Sequence, residues 1–178
     1  MIDVGDFFLV EPSEIYAEQI REYRQDFLDT NCSMDGCGPL RKCEDPFTYI
    51  SECEKCTAQD TLPEGLVIAT QFFYVRKADN RLVGMIQVRH YFNDYLSKFG
   101  GHIGYSIRPS ERRKGYATSM LNAILPYCRE IGLDKLLITC IDGNIGSEKT
   151  ICNNGGVYES TVYESGKNCS LKRFWITL

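Results

Sequence analysis

Residues 103–118 indicate the fold most directly, and they read IGYSIRPSERRKGYAT. Branched and aromatic residues predict a strand over residues 102–107, which Pro109 ends, and Gly115 precedes an amphipathic helix predicted over residues 116–131. The loop between them carries three consecutive basic residues, 112–114. A helix N-terminus presents unpaired N–H groups and the positive end of the helix dipole, so this loop predicts a pyrophosphate-binding site.

The loop matches neither of two common phosphate-binding motifs. The P-loop pattern, Gly-x-x-x-x-Gly-Lys followed by Ser or Thr, is absent from it, and so is the Rossmann pattern Gly-x-Gly-x-x-Gly. The alternative interpretation is a solvated basic turn in front of a surface helix.

The patterns on either side of the loop predict a mixed α/β domain with the order β–α–α–β–β–β–α–β–α–β–β. Upstream of residue 103 they predict a strand at residues 7–10, helices beginning at Ser13 and at Asp45, and a hairpin of strands 70–76 and 82–90. Downstream of residue 118 they predict a strand at 135–141, a helix at 144–154 and an antiparallel pair at 157–164 and 171–178. Gly132 is expected to cap the helix that follows Gly115. The whole chain, 1–178, is expected to form a single domain.

The composition excludes several classes of protein. The chain has 178 residues, of which 43% are hydrophobic and 25% charged, as is usual for a globular domain. No apolar run is long enough to cross a bilayer, and the first residues do not resemble a secretory signal. A net charge of −4 argues against a nucleic-acid binder. We therefore expect a cytoplasmic protein that binds neither nucleic acid nor membrane.

One acidic segment, residues 31–65, carries the charge imbalance. It holds three basic and seven acidic residues, which accounts for the whole net charge, and it holds five of the nine cysteines. Cys53-x-x-Cys56 has the spacing of a zinc half-site or a redox pair, but no second pair completes it, so reduced thiols are expected and a metal or redox element is the alternative. Cys128, Cys140 and Cys152 are expected to be small core residues.

Two motifs resemble those of the GNAT acetyltransferases. Residues 112–117, Arg-x-x-Gly-x-Ala, are similar to the family's acyl-CoA-binding motif Gln/Arg-x-x-Gly-x-Gly/Ala. Residues 144–147, Asn-x-x-Ser, and the later Asn-Gly-Gly at 154–156 resemble the region of the family's Asn-x-x-Ala and Lys-x-Gly-Phe helix. The resemblance covers residues 68–178, the expected CoA-binding core, and is closest to bacterial predicted acetyltransferases with a Gly-Gly-His-Ile-Gly-Tyr-Ser strand. It implies a single GNAT-like α/β (α+β) domain, with a mixed central sheet of about six to seven strands flanked by helices.

The resemblance implies acetyl-CoA as co-substrate and no metal. Backbone groups of residues 106–108 would pair with the pantetheine arm, and the N–H groups of residues 113–118 would hold the pyrophosphate. The charges of Arg108 and of residues 112–114 would lie nearby, and Asn144 would contact the pantetheine or the acyl end. The implied CoA-binding residues are therefore Ser106, Ile107, Arg108, Arg112, Arg113, Lys114, Gly115, Tyr116, Ala117, Thr118 and Asn144.

The implied reaction is direct attack of a primary amine on the thioester, which needs a base for the ammonium proton and an acid for the leaving thiolate. His102 stands where many members of the family have a glutamate, and an unperturbed pKa near 6.5 suits a base. The alternative is that His102 is a packed strand residue, and His90 is the other candidate base. Ile151 stands where many members have a tyrosine acid, so the acid is unassigned.

The leading prediction is an acetyl-CoA-dependent N-acetyltransferase, an acyltransferase that acts on a primary amine of a small molecule or peptide. The acceptor is expected near residues 89–95, His102 and the acidic segment, which favours a cationic amine. A non-catalytic acyl-CoA-binding or sensing module is the alternative, because the usual acid is missing. A homodimer is an expectation from the family alone.

Overall fold

The computed structural model describes residues 1–178, in which strands and helices follow one another in a mixed order. The elements are β1 (Ile2–Val4), β2 (Phe7–Val10), α1 (Ala17–Asp29), α2 (Pro46–Lys55), β3 (Ala69–Arg76), β4 (Arg81–Arg89), β5 (Ile103–Ile107), α3 (Tyr116–Glu130), β6 (Lys135–Ile141), α4 (Ile145–Cys152), β7 (Val157–Glu164) and β8 (Cys169–Thr177). Short 3₁₀ turns lie at Glu14–Tyr16 and Pro109–Glu111, and a π-helical segment lies at Leu96–Gly100. None of the helices is long and apolar enough to cross a lipid bilayer.

All the strands join one sheet, in the order β1-β2-β3-β4-β5-β6-β8-β7. Neighbouring strands are antiparallel except for β5 and β6, which are parallel. The α/β class and the single mixed sheet are confirmed, but the sheet has eight strands rather than six to seven. The additional strand is β1, which pairs with β2 across a turn at residues 5–6 and is too short to be recognised by alternation.

Local signals fix several helix ends as predicted. The Asp45 carboxylate accepts a hydrogen bond from the Thr48 N–H at the start of α2, where Pro46 occupies the first turn. Gly132, with a φ of +86°, follows the last turn of α3. The helix expected from Ser13 instead begins with the 3₁₀ turn, and α1 proper starts at Ala17.

Helices cover both faces of the sheet. On the front face, α1 and α2 pack on β3 and β4 through residues such as Tyr23, Phe27 and Phe73. On the back face, α3 and α4 pack through residues such as Leu121 and Ile138. Cys128 and Cys140 belong to this back layer, as expected, but Cys152 is exposed at the end of α4, so its assignment to the core was wrong.

The sheet opens between β5 and β6. The only opposed pair in their ladder is Ile103 with Ile138, next to which the His102 N–H donates to the Leu137 carbonyl over 2.7 Å. Beyond this pair the ladder stops, so the strands separate towards their C-terminal ends. The loop before α3 follows β5, and the loop before α4 follows β6, so both helix N-termini lie at the open end of the gap.

Candidate active site

The alternation of backbone groups along β5 decides which residues face the gap. The Arg108 N–H donates to the Val83 carbonyl over 2.9 Å, and the His102 carbonyl accepts from the Arg89 N–H over 2.8 Å. Because bonded and non-bonded pairs alternate in an antiparallel ladder, the backbone of Ser106 also faces β4. The alternate residues of β5, Tyr105 and Ile107, direct their backbone N–H and C=O groups towards β6. Of the three positions expected to pair with pantetheine, only Ile107 therefore faces the gap, and Tyr105 was missed because a motif does not reveal the phase of the ladder.

Residues 112–118, the loop before α3 and the first residues of that helix, are called the phosphate loop after the prediction from the sequence, and they present a run of free backbone donors. Arg113 has a φ of +67° and Gly115 a φ of +80°, and α3 begins immediately afterwards. The N–H groups of residues 113–118 donate no hydrogen bond within the chain. A Cβ on Gly115 would have no atom within 4 Å, so the space in front of the helix is open. This is the geometry of an anion site at a helix N-terminus.

Of the four basic residues assigned to this region, one is turned away from the loop. The Arg108 side chain is 1% exposed, and its guanidinium forms ion pairs with Glu22 at 3.2 Å and Asp26 at 2.9 Å, both on α1. Pairing with two carboxylates disfavours a phosphate-binding role for the charge of Arg108, and its part in CoA binding stays a prediction. Its position at the end of β5 was correct, but the sequence does not show which face α1 covers.

The other three basic residues differ in how free they are. The Arg112 Nε donates to the Ile107 carbonyl over 3.1 Å, and its guanidinium lies 5.5 Å from the Phe27 ring centroid. The Lys114 ammonium pairs with Glu111 at 2.8 Å. Arg113 is exposed and forms no ion pair, so among these residues its charge is the most available to a ligand.

The N-terminus of α4 borders the open end of the gap on the side of β6. The Asn144 Oδ1 accepts from the Ser147 N–H over 3.1 Å and so caps the helix. The Ser147 hydroxyl is 2.8 Å from the Tyr105 hydroxyl, and burial raises the pKa of Tyr105 to about 12. Ile151 is fully buried in the back layer, so this position provides no acid.

His102 is held on the front face by its backbone neighbours. Its Nδ1 accepts a hydrogen bond from the Leu137 N–H over 3.0 Å, and Phe92 lies 3.9 Å from its ring centroid. Burial, and then the charge of Arg89, lower the pKa of His102 to about 4. In the neutral tautomer that the Nδ1 bond requires, the proton is on Nε2, so the ring can donate a hydrogen bond but has no free lone pair for a substrate proton. This geometry disfavours His102 as the base, and its catalytic role stays a prediction.

The structure does not bring the two histidines together. His90 follows β4 and faces α3, where its Nε2 lies 3.0 Å from the Thr70 hydroxyl and 3.5 Å from the Tyr127 hydroxyl. Tyr127 is three turns along α3 from Tyr116, about 16 Å at the usual helical rise. Burial lowers the pKa of His90 as well. His90 thus lies far from the phosphate loop, on the opposite face of the sheet from His102.

The first part of the acidic segment lies directly on the front face of β5. A Cβ on Gly36 would be 2.1 Å from the Gly104 carbonyl carbon, so only a glycine allows the two backbones to cross here. The Cys37 thiol is 3.0 Å from the Ser106 hydroxyl, and Gln71 donates to the Gly36 carbonyl over 2.9 Å. All nine cysteines are free thiols, and no three His, Cys, Asp or Glu side chains are grouped to hold a metal ion.

Beside this segment is a polar cluster that the sequence motifs did not include, formed by Tyr95, Glu164 and Lys167. The Tyr95 hydroxyl donates to Glu164 Oε1 over 2.8 Å, and the Lys167 ammonium donates to the Tyr95 oxygen over 2.7 Å. Tyr95 falls within the stretch expected to be near the acceptor. Glu164 could not be found from the sequence, because it reads as the polar end of an edge strand.

One cavity lies outside the gap. It has a volume of about 480 Å³ and is lined by Asp6, Phe7, Arg76, Lys77, Ala78 and Tyr116. Tyr116 is the only residue that it shares with the phosphate loop.

Comparison with known proteins places the chain in a family. Residues 39–151 match the family model of the acetyltransferase (GNAT) family. A comparison with curated protein sequences found no match. Among solved structures, the ribosomal-protein-S5-alanine acetyltransferase from Vibrio fischeri is 15% identical, with a TM-score of 0.73 over 98% of this chain and 94% of that chain.

Two further structures show the same fold. A GNAT-family acetyltransferase from Bacillus anthracis is 18% identical, with a TM-score of 0.67 over 99% of this chain and 97% of that chain. RimJ from Mycobacterium smegmatis, in complex with CoA-disulfide, is 17% identical, with a TM-score of 0.72 over 99% of this chain and 84% of that chain. With the family-model match over most of its length, the chain belongs to the GNAT family of acetyltransferases.

Proposed function

We propose that the protein transfers an acetyl group from acetyl-CoA to a primary amine of a small molecule or peptide. The observation that carries this proposal is the run of unpaired backbone N–H groups at residues 113–118, placed at the open end of the gap between β5 and β6. A pyrophosphate supplies acceptors for such donors, and an extended thioester arm is a ligand of suitable shape for an interrupted sheet. Solved structures of the same fold carry CoA or acetyl-CoA, which supports this choice of co-substrate.

In this proposal the pyrophosphate lies against residues 113–118, with Arg113 and Lys114 adding charge. The pantetheine arm runs along β5 and pairs with the backbone of Tyr105 and Ile107, and the head of α4, from Asn144, flanks the acyl end. The backbone groups belong to β5 and to the start of α3, so regular secondary structure orients them towards the thioester.

The chemistry is a direct transfer. The neutral amine nitrogen attacks the thioester carbonyl carbon, the C–S bond breaks, the attacking nitrogen passes its proton to water, and the leaving thiolate gains a proton. His102 contributes at most a hydrogen bond from Nε2 in its neutral form. Ile151 has no proton to give, so the thiolate takes its proton from another group or from water.

The test is product formation from a panel of amines with acetyl-CoA, followed by mass spectrometry. The panel contains 1,4-diaminobutane, a peptide with a free N-terminal alanine, a lysine-containing peptide with a blocked N-terminus, and 4-methoxyaniline as an amine that is neutral at pH 8. An N-terminal alanine is included because the protein from Vibrio fischeri is named as an alanine acetyltransferase. An acetylated amine supports the proposal. Acetyl-CoA binding with no acetylated product from any amine contradicts it and favours the non-catalytic binding module.

A further inference from the structure

Glu164, the last residue of β7, has a carboxylate oxygen that accepts no hydrogen bond. Its side chain is 7% exposed, and its Oε1 accepts a hydrogen bond from Tyr95. Its Oε2 is buried and accepts no hydrogen bond. A buried carboxylate normally accepts hydrogen bonds on both oxygens. Without them, its removal from water costs roughly several kcal/mol of free energy. The free oxygen is therefore a position for a donor from outside the chain.

The cation nearest to Glu164 Oε2 indicates the type of ligand that would bind there, an ammonium group. The Lys167 ammonium lies 3.8 Å from Glu164 Oε2, too far for a hydrogen bond, while it donates to the Tyr95 oxygen at 2.7 Å. The Lys167 side chain is 65% exposed and belongs to the turn between β7 and β8. An exposed lysine on a turn can move away, so its ammonium is displaceable by another one.

The cluster includes Tyr95, which belongs to residues 89–95, where the acceptor is expected. Arg89 lies close enough to Tyr95 and to Asp35 to interact electrostatically with both. Asp35 interacts in the same way with Lys167. The Arg89 Nη2 would be 3.2 Å from a Cβ on Gly104, a residue of β5 at the edge of the gap. The front face beside the gap therefore continues from Gly104 through Arg89 and Tyr95 to Glu164.

We propose that Glu164 and Tyr95 bind an ammonium group of the acceptor, which displaces Lys167. The inference rests on the proposed function and names the acceptor class: a cationic alkylamine rather than a neutral or anionic amine. In 1,4-diaminobutane one ammonium binds here while the other nitrogen, deprotonated, attacks the thioester. A peptide amine binds here as the ammonium and attacks only after it has lost its proton, and the amine panel separates the two.

The first test is the variant Glu164→Gln, which keeps the shape of the side chain and an oxygen for Tyr95 but removes the charge. We expect the KM for the alkylammonium acceptors to rise by about tenfold or more, as for loss of a hydrogen bond to a charged group, with the KM for acetyl-CoA unchanged. The matched control is Glu159→Gln on the same strand, where the carboxylate pairs with Arg173 and Trp175 instead. It should leave both KM values within about twofold.

The second test is Lys167→Met, which removes the competing ammonium. We expect the acceptor KM to fall, opposite in sign to the effect of Glu164→Gln. A general loss of stability would raise both values, so the opposite signs separate binding from folding. Lys167 is exposed, and its replacement is not expected to unfold the chain.

Different results would overturn the inference and the proposed function. If amines are acetylated and Glu164→Gln and Lys167→Met both leave the acceptor KM unchanged, the inference is wrong and the function stands. If 4-methoxyaniline is acetylated in preference to the alkylamines, the inference is likewise wrong and the proposed function stands. If no amine is acetylated although acetyl-CoA binds, the proposed function fails and the inference falls with it.

Discussion

At the scale of single residues, the His102 ring illustrates how a backbone bond determines chemistry. Its Nδ1 is occupied by the Leu137 N–H, and its pKa is lowered to about 4. The ring is therefore neutral over the whole range in which an amine acetyltransferase would be assayed. A pH profile of turnover between pH 6 and 9 should show no ionisation of His102.

The same pKa predicts a pH dependence of stability. The unfolded chain binds a proton at this histidine below about pH 6.5, whereas the folded ring stays neutral until about pH 4, so acid favours the unfolded state. Between pH 7 and pH 5 the free energy of unfolding should fall by about 2 kcal/mol from this residue alone. His102→Gln should lose that part of the pH dependence in urea titrations at the two pH values.

His90→Gln is the control for this measurement, because burial lowers the pKa of His90 as well but less strongly. It should remove a smaller part of the pH dependence. If His102→Gln keeps the full wild-type loss between pH 7 and pH 5, the ring is not held neutral and its role as a base becomes possible again.

At the scale of elements, the basic residues around the phosphate loop have two separate tasks. Arg108 joins the end of β5 to α1 through Glu22 and Asp26, whereas Arg113 faces solvent at the start of α3. Arg108→Ala should therefore lower the free energy of unfolding by about 3 kcal/mol, since it removes a fully buried side chain that also pairs with two partly exposed carboxylates. Arg113→Ala should leave stability within about 0.5 kcal/mol and weaken CoA binding by about three- to tenfold.

Urea titration and calorimetric titration with CoA measure the two effects on the same preparations. The assignment fails if Arg113→Ala destabilises the fold while Arg108→Ala has no effect on it. It also fails if neither variant changes CoA affinity or stability.

Sequence patterns were sufficient to predict some helix ends but not all strands or buried faces. Caps at Asp45 and Gly132 are local signals and were confirmed, because the groups that they satisfy lie within one turn. The strand β1 was missed, because three residues show no alternation. Cys152 was misplaced because it lies on the solvent side of the last turn of α4, whereas its neighbour Ile151 faces the back layer, and periodicity over so short a helix does not fix its buried face.

At the scale of the whole molecule, the candidate site joins parts of the chain that no motif connects. The residues of the phosphate loop are consecutive, so the sequence predicted the site at residues 113–118, and the structure leaves those N–H groups unpaired. Tyr95 and Glu164 are 69 residues apart and meet only because β7 lies beside the segment that precedes β5. Likewise, Gly36 reaches β5 only because the acidic segment folds back over the front face. Contacts of this kind depend on strand order, which hydrophobic periodicity does not encode.

The structure places the first part of the acidic segment, residues 31–65, beside the gap. Its first residues cover β5 next to the gap, and Asp35 and Glu164 lie on the same side as the proposed acceptor site. The basic groups near the proposed pyrophosphate lie at the start of α3. The proposed acceptor side also holds the cations Arg89 and Lys167, so it carries both signs of charge.

The CoA site is tested most directly by calorimetric titration of CoA into Gly115→Glu and Gly132→Glu. The two glycines lie at opposite ends of α3, have φ values of +80° and +86°, and would each have no atom within 4 Å of an added Cβ, so both variants carry the same backbone strain. Gly115→Glu should weaken CoA binding by at least about 100-fold, because a carboxylate in the phosphate loop repels the pyrophosphate. Gly132→Glu should bind CoA within about twofold of the wild type. Equal affinities for the two variants would contradict the placement of CoA at the start of α3.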